Sequence, residues 1–189
     1  MSRKYKFHDN DSLYFISFAV VHWIDVFVRD EYFRIIIDCW KYSQENKGLE
    51  IYAWCIMPSH VHMIAGTSGK KLDVIIGEMK SYTSTQMKKV IKENIAESRK
   101  EWMVWIACPD LSRMERAGKK NSNNNEWQFW QQHNKPVELK DHEMFRKALN
   151  YIHQNPVVAG FVVKEEDWQY SSARDFCGTK GLVSLSHVD

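Results

Sequence analysis

Cysteine, proline and glycine are all scarce in this sequence. Its 189 residues include four cysteines, four prolines and eight glycines. The cysteines lie far apart, with no CxxC pair, at positions Cys39, Cys55, Cys108 and Cys177. This spacing excludes a zinc knuckle. The sequence also lacks a signal peptide ahead of its first β-prone run, and it has no apolar run long enough to span a bilayer. These absences predict a soluble, cytoplasmic protein with reduced thiols and no membrane contact.

The sequence also has no large excess of positive or negative charge. Lys and Arg number 26 and Asp and Glu number 24, which leaves a formal net charge of +2. That balance is compatible with nucleic-acid binding and does not by itself indicate it. Hydrophobic residues make up 44% of the chain and aromatic residues 13%, a composition that excludes intrinsic disorder. The length fits one domain with a sizeable core.

A histidine pair after a tight turn is the first feature that carries chemistry. Residues 54–64 read Trp-Cys-Ile-Met-Pro-Ser-His-Val-His-Met-Ile, and Pro58 and Ser59 separate two apolar, strand-like runs. Side chains alternate along a strand, so His60 and His62 share one face and the intervening valine lies on the other. Two imidazoles on one face can hold a metal ion from a rigid base. The alternative is a pair of half-exposed, hydrogen-bonded histidines without a metal.

A second motif, Asn-Tyr-Ile-His-Gln-Asn-Pro-Val, occupies residues 150–157. Asp141 is a suitable N-cap for a helix that leads into it, because apolar residues then recur at a spacing of three to four. Tyr151 and Asn155 are four residues apart and share one helical face, where a phenol and an amide could meet the two imidazoles. Pro156 predicts that the helix ends at Asn155. The alternative is that Tyr151 is a core aromatic and that Asn155 only ends the helix.

Together the two motifs resemble those of a known family. His60-Val61-His62 after Met57-Pro58-Ser59, followed downstream by Tyr151-Ile152-His153-Gln154-Asn155-Pro156, resembles the single-tyrosine HUH transposases. Within that family the sequence is similar to the REP-associated tyrosine transposases, relatives of small insertion-sequence enzymes that move as single-stranded DNA. The resemblance runs from about Tyr14 to about Phe176 and includes the segments 127–131 and 168–174.

The resemblance implies a reaction and a set of roles. Tyr151 would be the nucleophile that attacks a phosphodiester in single-stranded or hairpin DNA and leaves a 5′-phosphotyrosine and a free 3′-hydroxyl. His60, His62 and the side-chain carbonyl of Asn155 would hold Mg²⁺ or Mn²⁺, which keeps its full charge because all three ligands are neutral. No second tyrosine stands beside Tyr151, which disfavours a two-tyrosine relaxase mechanism. The family implies either a monomer or a homodimer.

Two other functions remain open on the same residues. The chain could be a domesticated nucleic-acid-binding protein that kept the fold and lost transposition activity. It could also be a small metallohydrolase in which the histidine pair serves another phosphoester. The first alternative predicts DNA binding without cleavage, and the second predicts cleavage without a tyrosine adduct.

Apolar periodicity and turn signals give the order of the elements. Strands are predicted at 13–21, 49–56, 61–66 and 127–132, and helices at 31–46, at 72–91 and from Asp141 onward. Asp30 is predicted to cap the first helix and Gly48 to end it. More helix is expected between Trp102 and Ala117, interrupted at Pro109.

This order predicts an α+β fold with a central antiparallel sheet and helices packed on it. The resemblance implies the ferredoxin- or RRM-like form of the HUH nuclease fold. Residues 1–189 are predicted to form a single HUH tyrosine transposase domain, in which residues 1–12 are a flexible arm and residues from about 177 to 189 a tail.

Two groups of basic residues are candidates for contact with DNA. The long helix carries Lys80, Lys88, Lys89 and Lys92, and a second group consists of Arg113, Arg116, Lys119 and Lys120. A lysine-bearing helix face is commonly only solvated. Given the resemblance, contacts between these groups and phosphates are expected, with a steep dependence of affinity on salt.

Overall fold

A four-stranded antiparallel sheet forms the centre of the computed structural model, which describes residues 7, 9–104 and 128–187. The strands are β1 (Tyr14–Ala19), β2 (Leu49–Ile56), β3 (His60–Thr67) and β4 (Val137–Glu138), in the order β2-β3-β1-β4. The helices are α1 (Asp30–Lys47), α2 (Leu72–Glu93), α3 (Lys100–Val104), α4 (His142–Val158) and α5 (Ala173–Phe176), with 3-10 turns at Val21–Trp23 and Glu165–Asp167. The predicted α+β fold with a central antiparallel sheet is confirmed.

The two faces of the sheet pack against different helices. On one face, Ile16, Val61 and Met63 belong to the main core, which also contains the buried stripes of α1 and α2. On the other face, Ile64 and Ile152 belong to a smaller cluster that joins the sheet to α4. This division follows from the alternation of side chains along each strand. The sheet therefore lies between α1 and α2 on one side and α4 on the other.

The hairpin of β2 and β3 has the predicted position. Cys55 pairs with His62 and Ile56 with Val61, and the backbone N–H of Met57 closes the turn onto the carbonyl of His60 at 2.8 Å. β3 lies between β2 and β1, so the histidine pair occupies a central strand. A central strand is hydrogen-bonded along both edges, which makes it a rigid support for functional side chains.

The first helix begins one residue earlier than predicted. Its N-cap is Arg29, and Asp30 is the first helical residue, so the prediction that Asp30 is the cap is wrong. The Asp30 carboxylate instead pairs with Arg34 and accepts a hydrogen bond from the Tyr170 hydroxyl at 2.8 Å. At the other end Gly48 has φ +76°, the left-handed conformation that glycine adopts at low cost, and it ends the helix as predicted.

The fourth strand differs from its prediction. It was expected at 127–132, but β4 is Val137–Glu138, paired with Phe15 and Tyr14. Of the expected strand, the described residues contribute one isolated bridge between Trp130 and Val20. The indole of Trp130 turns into the core and donates from its Nε1 to the Thr83 hydroxyl at 2.9 Å. The apolar pattern of this segment therefore reflects buried aromatic side chains together with a short stretch of pairing, two backbone hydrogen bonds of 2.8 Å to residues 19–21.

The helix that carries Tyr151 runs past Pro156. Asp141 caps it as predicted, since its Oδ1 accepts from the Met144 backbone N–H at 2.8 Å. The prediction that the helix ends at Asn155 is wrong, because α4 continues to Val158. Proline lacks only its own N–H, and the Asn155 carbonyl still accepts from the Ala159 N–H at 3.0 Å. The last turn therefore keeps its geometry.

A buried carboxylate ties the segment before α1 to the loop after α2. Glu97 Oε1 accepts from Nε of Arg99 at 2.9 Å, and its Oε2 accepts from Nε of Arg29 at 3.1 Å and from the Tyr32 hydroxyl at 3.0 Å. Burial alone would raise the pKa of Glu97, but the hydrogen bonds from Arg99 and Tyr32 outweigh it and lower the pKa to about 2. We call these four residues the Glu97 clamp.

A segment near the C-terminal end covers the outer edge of β2. In this segment, residues 168–172, here called the strap, the Tyr170 carbonyl accepts from the Ile56 N–H and the Ser172 N–H donates to the Trp54 carbonyl, both at 2.9 Å. The indole Nε1 of Trp168 donates to the Ile56 carbonyl at 3.0 Å. The strap therefore satisfies backbone groups that an open sheet edge would expose.

Some sequence predictions fall outside the described residues. These are residues 1–6 and 8 of the predicted arm, the Arg113–Lys120 group, Cys108 and the part beyond residue 104 of the helix expected between Trp102 and Ala117, whose first residues lie in α3. Cys39, Cys55 and Cys177 are described, and all three are free thiols. Within the described ranges, no helix is long and apolar enough to cross a membrane.

Candidate functional site

The two predicted histidines lie together on the α4 face of the sheet. Their ring centroids are 4.7 Å apart with the planes at 76°. The ring of Phe15, on the neighbouring strand β1, stacks on His62 at 5.6 Å and 18°. Because β1 and β3 are hydrogen-bonded neighbours, Phe15 fixes the imidazole of His62 from the side. His62 is only 5% exposed, whereas His60 is half-buried.

Helix α4 brings the predicted phenol and amide to the same place. The Tyr151 ring lies 5.1 Å from the ring of His62, edge to face at 75°. Its side chain is 52% exposed, so the reading of Tyr151 as a core aromatic is wrong. The Asn155 side chain, four residues further along α4, hydrogen-bonds with His60. The structure thus brings together all four residues that the sequence singled out.

Burial keeps both imidazoles neutral. Removal from water lowers the pKa of His62 to about 3, and the neighbouring His60 lowers it further. Burial also lowers the pKa of His60, while the hydrogen bond with Asn155 and the charge of Asp25 act in the opposite direction. A neutral imidazole has a free lone pair on one ring nitrogen, which is the form that binds metals.

The two histidines differ in how their nitrogens are satisfied. His60 Nδ1 lies 3.1 Å from the Ser59 hydroxyl. Both ring nitrogens of His62 are buried, and neither has a hydrogen-bond partner among the described residues. Leaving a buried polar atom unpaired costs about 1–3 kcal/mol. An arrangement of this kind fits a ligand that the protein alone does not supply.

The donor set itself is consistent with a divalent cation at this place. His60, His62 and the Asn155 side chain are all neutral, so the charge of a bound cation would not be cancelled by its ligands. In the part of the chain that the structure describes, no group of three or more His, Cys, Asp or Glu side chains is arranged to hold a metal ion. The three residues fit the cation that the resemblance implies because each offers a neutral nitrogen or oxygen donor, with the amide as the third ligand.

The residues between Tyr151 and Asn155 point elsewhere, as the helical rotation predicts. His153 is buried, with its Nε2 2.9 Å from the Ser172 hydroxyl, and burial lowers its pKa to about 4. Gln154 donates from its side-chain amide to Glu165. Both contacts join α4 to the segment that contains the strap. They hold the helix in place rather than entering the site.

Trp23 is a site residue that the sequence did not reveal. Its ring lies 5.3 Å from that of His60, at 68°, and its side chain is 57% exposed. His22 and Trp23 both have positive φ, at 57° and 55°. Each non-glycine residue in that region costs about 1 kcal/mol or more. Neither is a glycine or an asparagine, so no turn signal marks the position in the sequence.

The predicted basic face of α2 is smaller than expected and lies across the sheet. Lys80 is turned inward, where its Nζ donates to the Gln131 carbonyl at 2.6 Å and to Asn134 Oδ1 at 2.7 Å. Burial lowers the pKa of Lys80 to about 8. Lys80 is thus a structural residue, and the expectation that it contacts DNA is wrong. Lys89 and Lys92 are exposed, on the helix that packs against the face opposite the histidines.

Part of the sequence and the fold are similar to those of known proteins. Residues 24–106 match the family model described as IS200-like transposase. A REP-associated tyrosine transposase, solved bound to a REP hairpin, is similar in structure with a TM-score of 0.64 and 16% identity, over 100% of this chain and 94% of that chain. A putative transposase from Deinococcus radiodurans R1 gives a TM-score of 0.35 and 21% identity, over 49% of this chain and 72% of that chain. No curated protein matches the sequence.

These findings confirm the predicted resemblance. The family model covers the histidine pair and ends before Tyr151, and the fold extends the likeness over α4. The family model thus matches less than half of the chain, and the structural similarity shows a shared fold.

Proposed function

We infer from the IS200-like match over residues 24–106 that the protein is a transposase, and we propose that it cleaves and joins single-stranded or hairpin DNA through Tyr151. The observation that carries this proposal is the pairing of an exposed phenol with a buried, unsatisfied imidazole. The ring centroid of Tyr151 lies 5.1 Å from that of His62. Neither ring nitrogen of His62 has a hydrogen-bond partner among the described residues. A phenol needs activation at neutral pH, and this position beside a cation site provides it.

His60, His62 and Asn155 are proposed to hold Mg²⁺ or Mn²⁺. Bound there, the cation supplies positive charge to a non-bridging oxygen of the scissile phosphate. Imidazole suits manganese better than magnesium, whereas the amide and phosphate oxygens suit magnesium. Phe15 and the rest of the α4 face hold the two rings in place before DNA binds, so no reorganisation is needed at the moment of reaction.

The proposed reaction is a transesterification. The Tyr151 oxygen forms a bond to phosphorus while the bond from phosphorus to the 3′-oxygen breaks. The phenol loses its proton and the 3′-oxygen gains one, so a phosphodiester is exchanged for a phosphotyrosine and a hydroxyl. Because the bond energy is retained in the adduct, another 3′-hydroxyl can reverse the step without ATP. The exposed position of Tyr151 leaves its oxygen open to an incoming strand.

The proposal is tested by trapping the covalent intermediate. Wild-type protein is incubated with Mn²⁺ and a hairpin DNA carrying a 5′ single-stranded extension, and is then denatured. We expect a DNA–protein adduct that resists denaturant, and mass spectrometry of the digest should place the nucleotide on the peptide that contains Tyr151. Tyr151→Phe removes only the nucleophilic oxygen and should give no adduct.

A second tyrosine provides a matched control. The side chain of Tyr82 is 53% exposed, close to the value for Tyr151, but it lies on α2. Tyr82→Phe should form the adduct at the wild-type rate. DNA binding without cleavage by the wild type would favour the domesticated binding protein. Cleavage without an adduct at any time point would favour the metallohydrolase, and an adduct on Tyr170 would mean that the nucleophile is misassigned.

A further inference from the structure

The exposed indole beside His60 has no role in packing the core. More than half of the Trp23 side chain is in contact with solvent, although tryptophan is among the most hydrophobic side chains to leave in water. Its neighbours Val21 and Ile24 are buried, so the chain is anchored on both sides of it. The indole therefore projects outward from a fixed base.

The backbone around Trp23 is held against the hairpin turn that carries His60. The Val20 N–H donates to the Ser59 carbonyl and the Phe27 N–H donates to the Pro58 carbonyl, each at 2.8 Å. Trp23 itself donates from its N–H to the Val20 carbonyl at 3.0 Å. These bonds hold two successive residues in the left-handed conformation. The strained turn thus fixes the indole relative to the histidine pair.

We propose that Trp23 is a stacking platform for an unpaired nucleobase next to the phosphate at the histidine site. This inference rests on the proposed function, because it assumes that a DNA strand runs past His60. The ring centroids of Trp23 and His60 are 5.3 Å apart, so the indole is within reach of a base attached to a nucleotide bound at His60. Stacking on an aromatic side chain is tolerant of sequence, because every base has a π-face.

The same geometry would favour single strands over duplex DNA. In a duplex both faces of a base are covered by its neighbours in the stack, so its face is not available to an indole. A single-stranded nucleotide can turn its base onto Trp23 while its phosphate reaches the histidines. Trp23 therefore selects the strand type, and Tyr151 performs the chemistry.

The test measures affinity for single strands in variants that keep the turn. Asparagine tolerates the left-handed conformation but has no aromatic face, and phenylalanine keeps a smaller face. Binding of a fluorescein-labelled oligothymidylate is followed by anisotropy. We expect Trp23→Asn to weaken binding about tenfold, as base stacking on aromatic residues predicts, and Trp23→Phe to recover most of that loss. Tyr82→Asn, an exposed aromatic on α2, should bind as the wild type does.

A second measurement tests for stacking directly, at protein concentrations that saturate binding in each variant. Oligothymidylate carrying 2-aminopurine at successive positions should show quenching at one position with the wild type, and this quenching should disappear in Trp23→Asn. Unchanged affinity and unchanged quenching in Trp23→Asn would overturn the inference. Failure of the wild type to form a tyrosine adduct would instead overturn the proposed reaction, and the two results are read from different assays.

Discussion

At the scale of one residue, His62 is a buried polar side chain whose unpaired nitrogens lower the stability of the fold. Its imidazole is buried with two unpaired nitrogens, whereas a leucine of similar size would fill the space without polar atoms. In the absence of metal, His62→Leu should raise the free energy of unfolding by about 1 kcal/mol, the lower end of the penalty for an unsatisfied buried group. Urea denaturation in EDTA measures the change. Mn²⁺ should stabilise the wild type and not the variant.

His153 is the matched control for that prediction. It is also a buried histidine, but its Nε2 lies at hydrogen-bonding distance from the Ser172 hydroxyl. His153→Leu removes this contact and should lower the free energy of unfolding by about 1 kcal/mol. A similar loss of stability in both variants would mean that His62 has partners in solution and that its nitrogens are not reserved for a ligand.

At the scale of elements, the Glu97 clamp joins the start of α1 to the loop after α2. A buried carboxylate paired with two guanidinium groups costs about 3–5 kcal/mol to break when all partners are buried. Arg29 and Arg99 are partly exposed, so Glu97→Gln should lower the free energy of unfolding by about 2 kcal/mol at pH 7. Glu93→Gln, at the exposed end of α2, should change it by less than about 0.5 kcal/mol. Urea denaturation of both variants provides the comparison.

The clamp also predicts a response to acid. The pKa of Glu97 is lowered from its ordinary value of 4.5 to about 2. A carboxyl whose pKa is depressed by folding contributes stability that is fully present above pH 4.5 and is lost as the pH falls towards 2. The difference in stability between the wild type and Glu97→Gln should therefore narrow between these pH values. A constant difference across this range would show that the charge of Glu97 is not what stabilises the contact.

The lysines of α2 form a second test at this scale. Lys89 and Lys92 are exposed, and if they contact the phosphates of a hairpin, each should contribute about 0.9 to the slope of log affinity against log salt. The double variant Lys89→Gln, Lys92→Gln should show a correspondingly smaller slope in binding titrations. Lys80→Gln should leave the slope unchanged and lower the melting temperature, because Lys80 joins α2 to Gln131 and Asn134. An unchanged slope in the double variant would place the DNA elsewhere.

The elements also show which features a sequence can reveal. The β2–β3 hairpin and the long helix follow from local periodicity, and their predicted positions agree closely with the structure. The fourth strand was predicted at the wrong place, around Trp130, because an alternating apolar pattern does not distinguish a paired strand from a segment whose side chains are buried in the core. Pro156 misled the prediction of a helix end, because a proline in the last turn removes only one hydrogen bond.

The sequence predicted which four residues come together in the candidate site, but it did not predict which other residues lie around them. Residue spacing placed His60 with His62 and Tyr151 with Asn155, since each pair lies on one element. That the two elements meet depends on how α4 packs on the sheet, and the family resemblance supplied that expectation. Trp23 could not be found in advance. Its position depends on a left-handed turn held by hydrogen bonds to Pro58 and Ser59, which leave no pattern in the sequence.

At the scale of the whole molecule, both edges of the sheet are protected. On one edge, β4 is only two residues long, and in the described residues 128–136 the chain before it makes one isolated bridge, at Trp130. On the other edge, the strap pairs with β2 and bridges Cys55 to Ser171. Short or covered edges prevent a sheet from pairing with the sheet of another molecule. The central position of the histidine strand follows from the same arrangement.

The strap has a consequence for biosynthesis. A ribosome makes β2 long before it makes residues 168–172, and at about 5–20 residues per second the intervening segment takes on the order of 10 s. During that interval the edge of β2 has no partner, and the nascent chain presents a strand that any extended peptide could join. A transcript truncated just before the codon for Trp168 would make this temporary state permanent, and its product should be bound by chaperones and degraded by proteases rather than fold as a smaller stable protein.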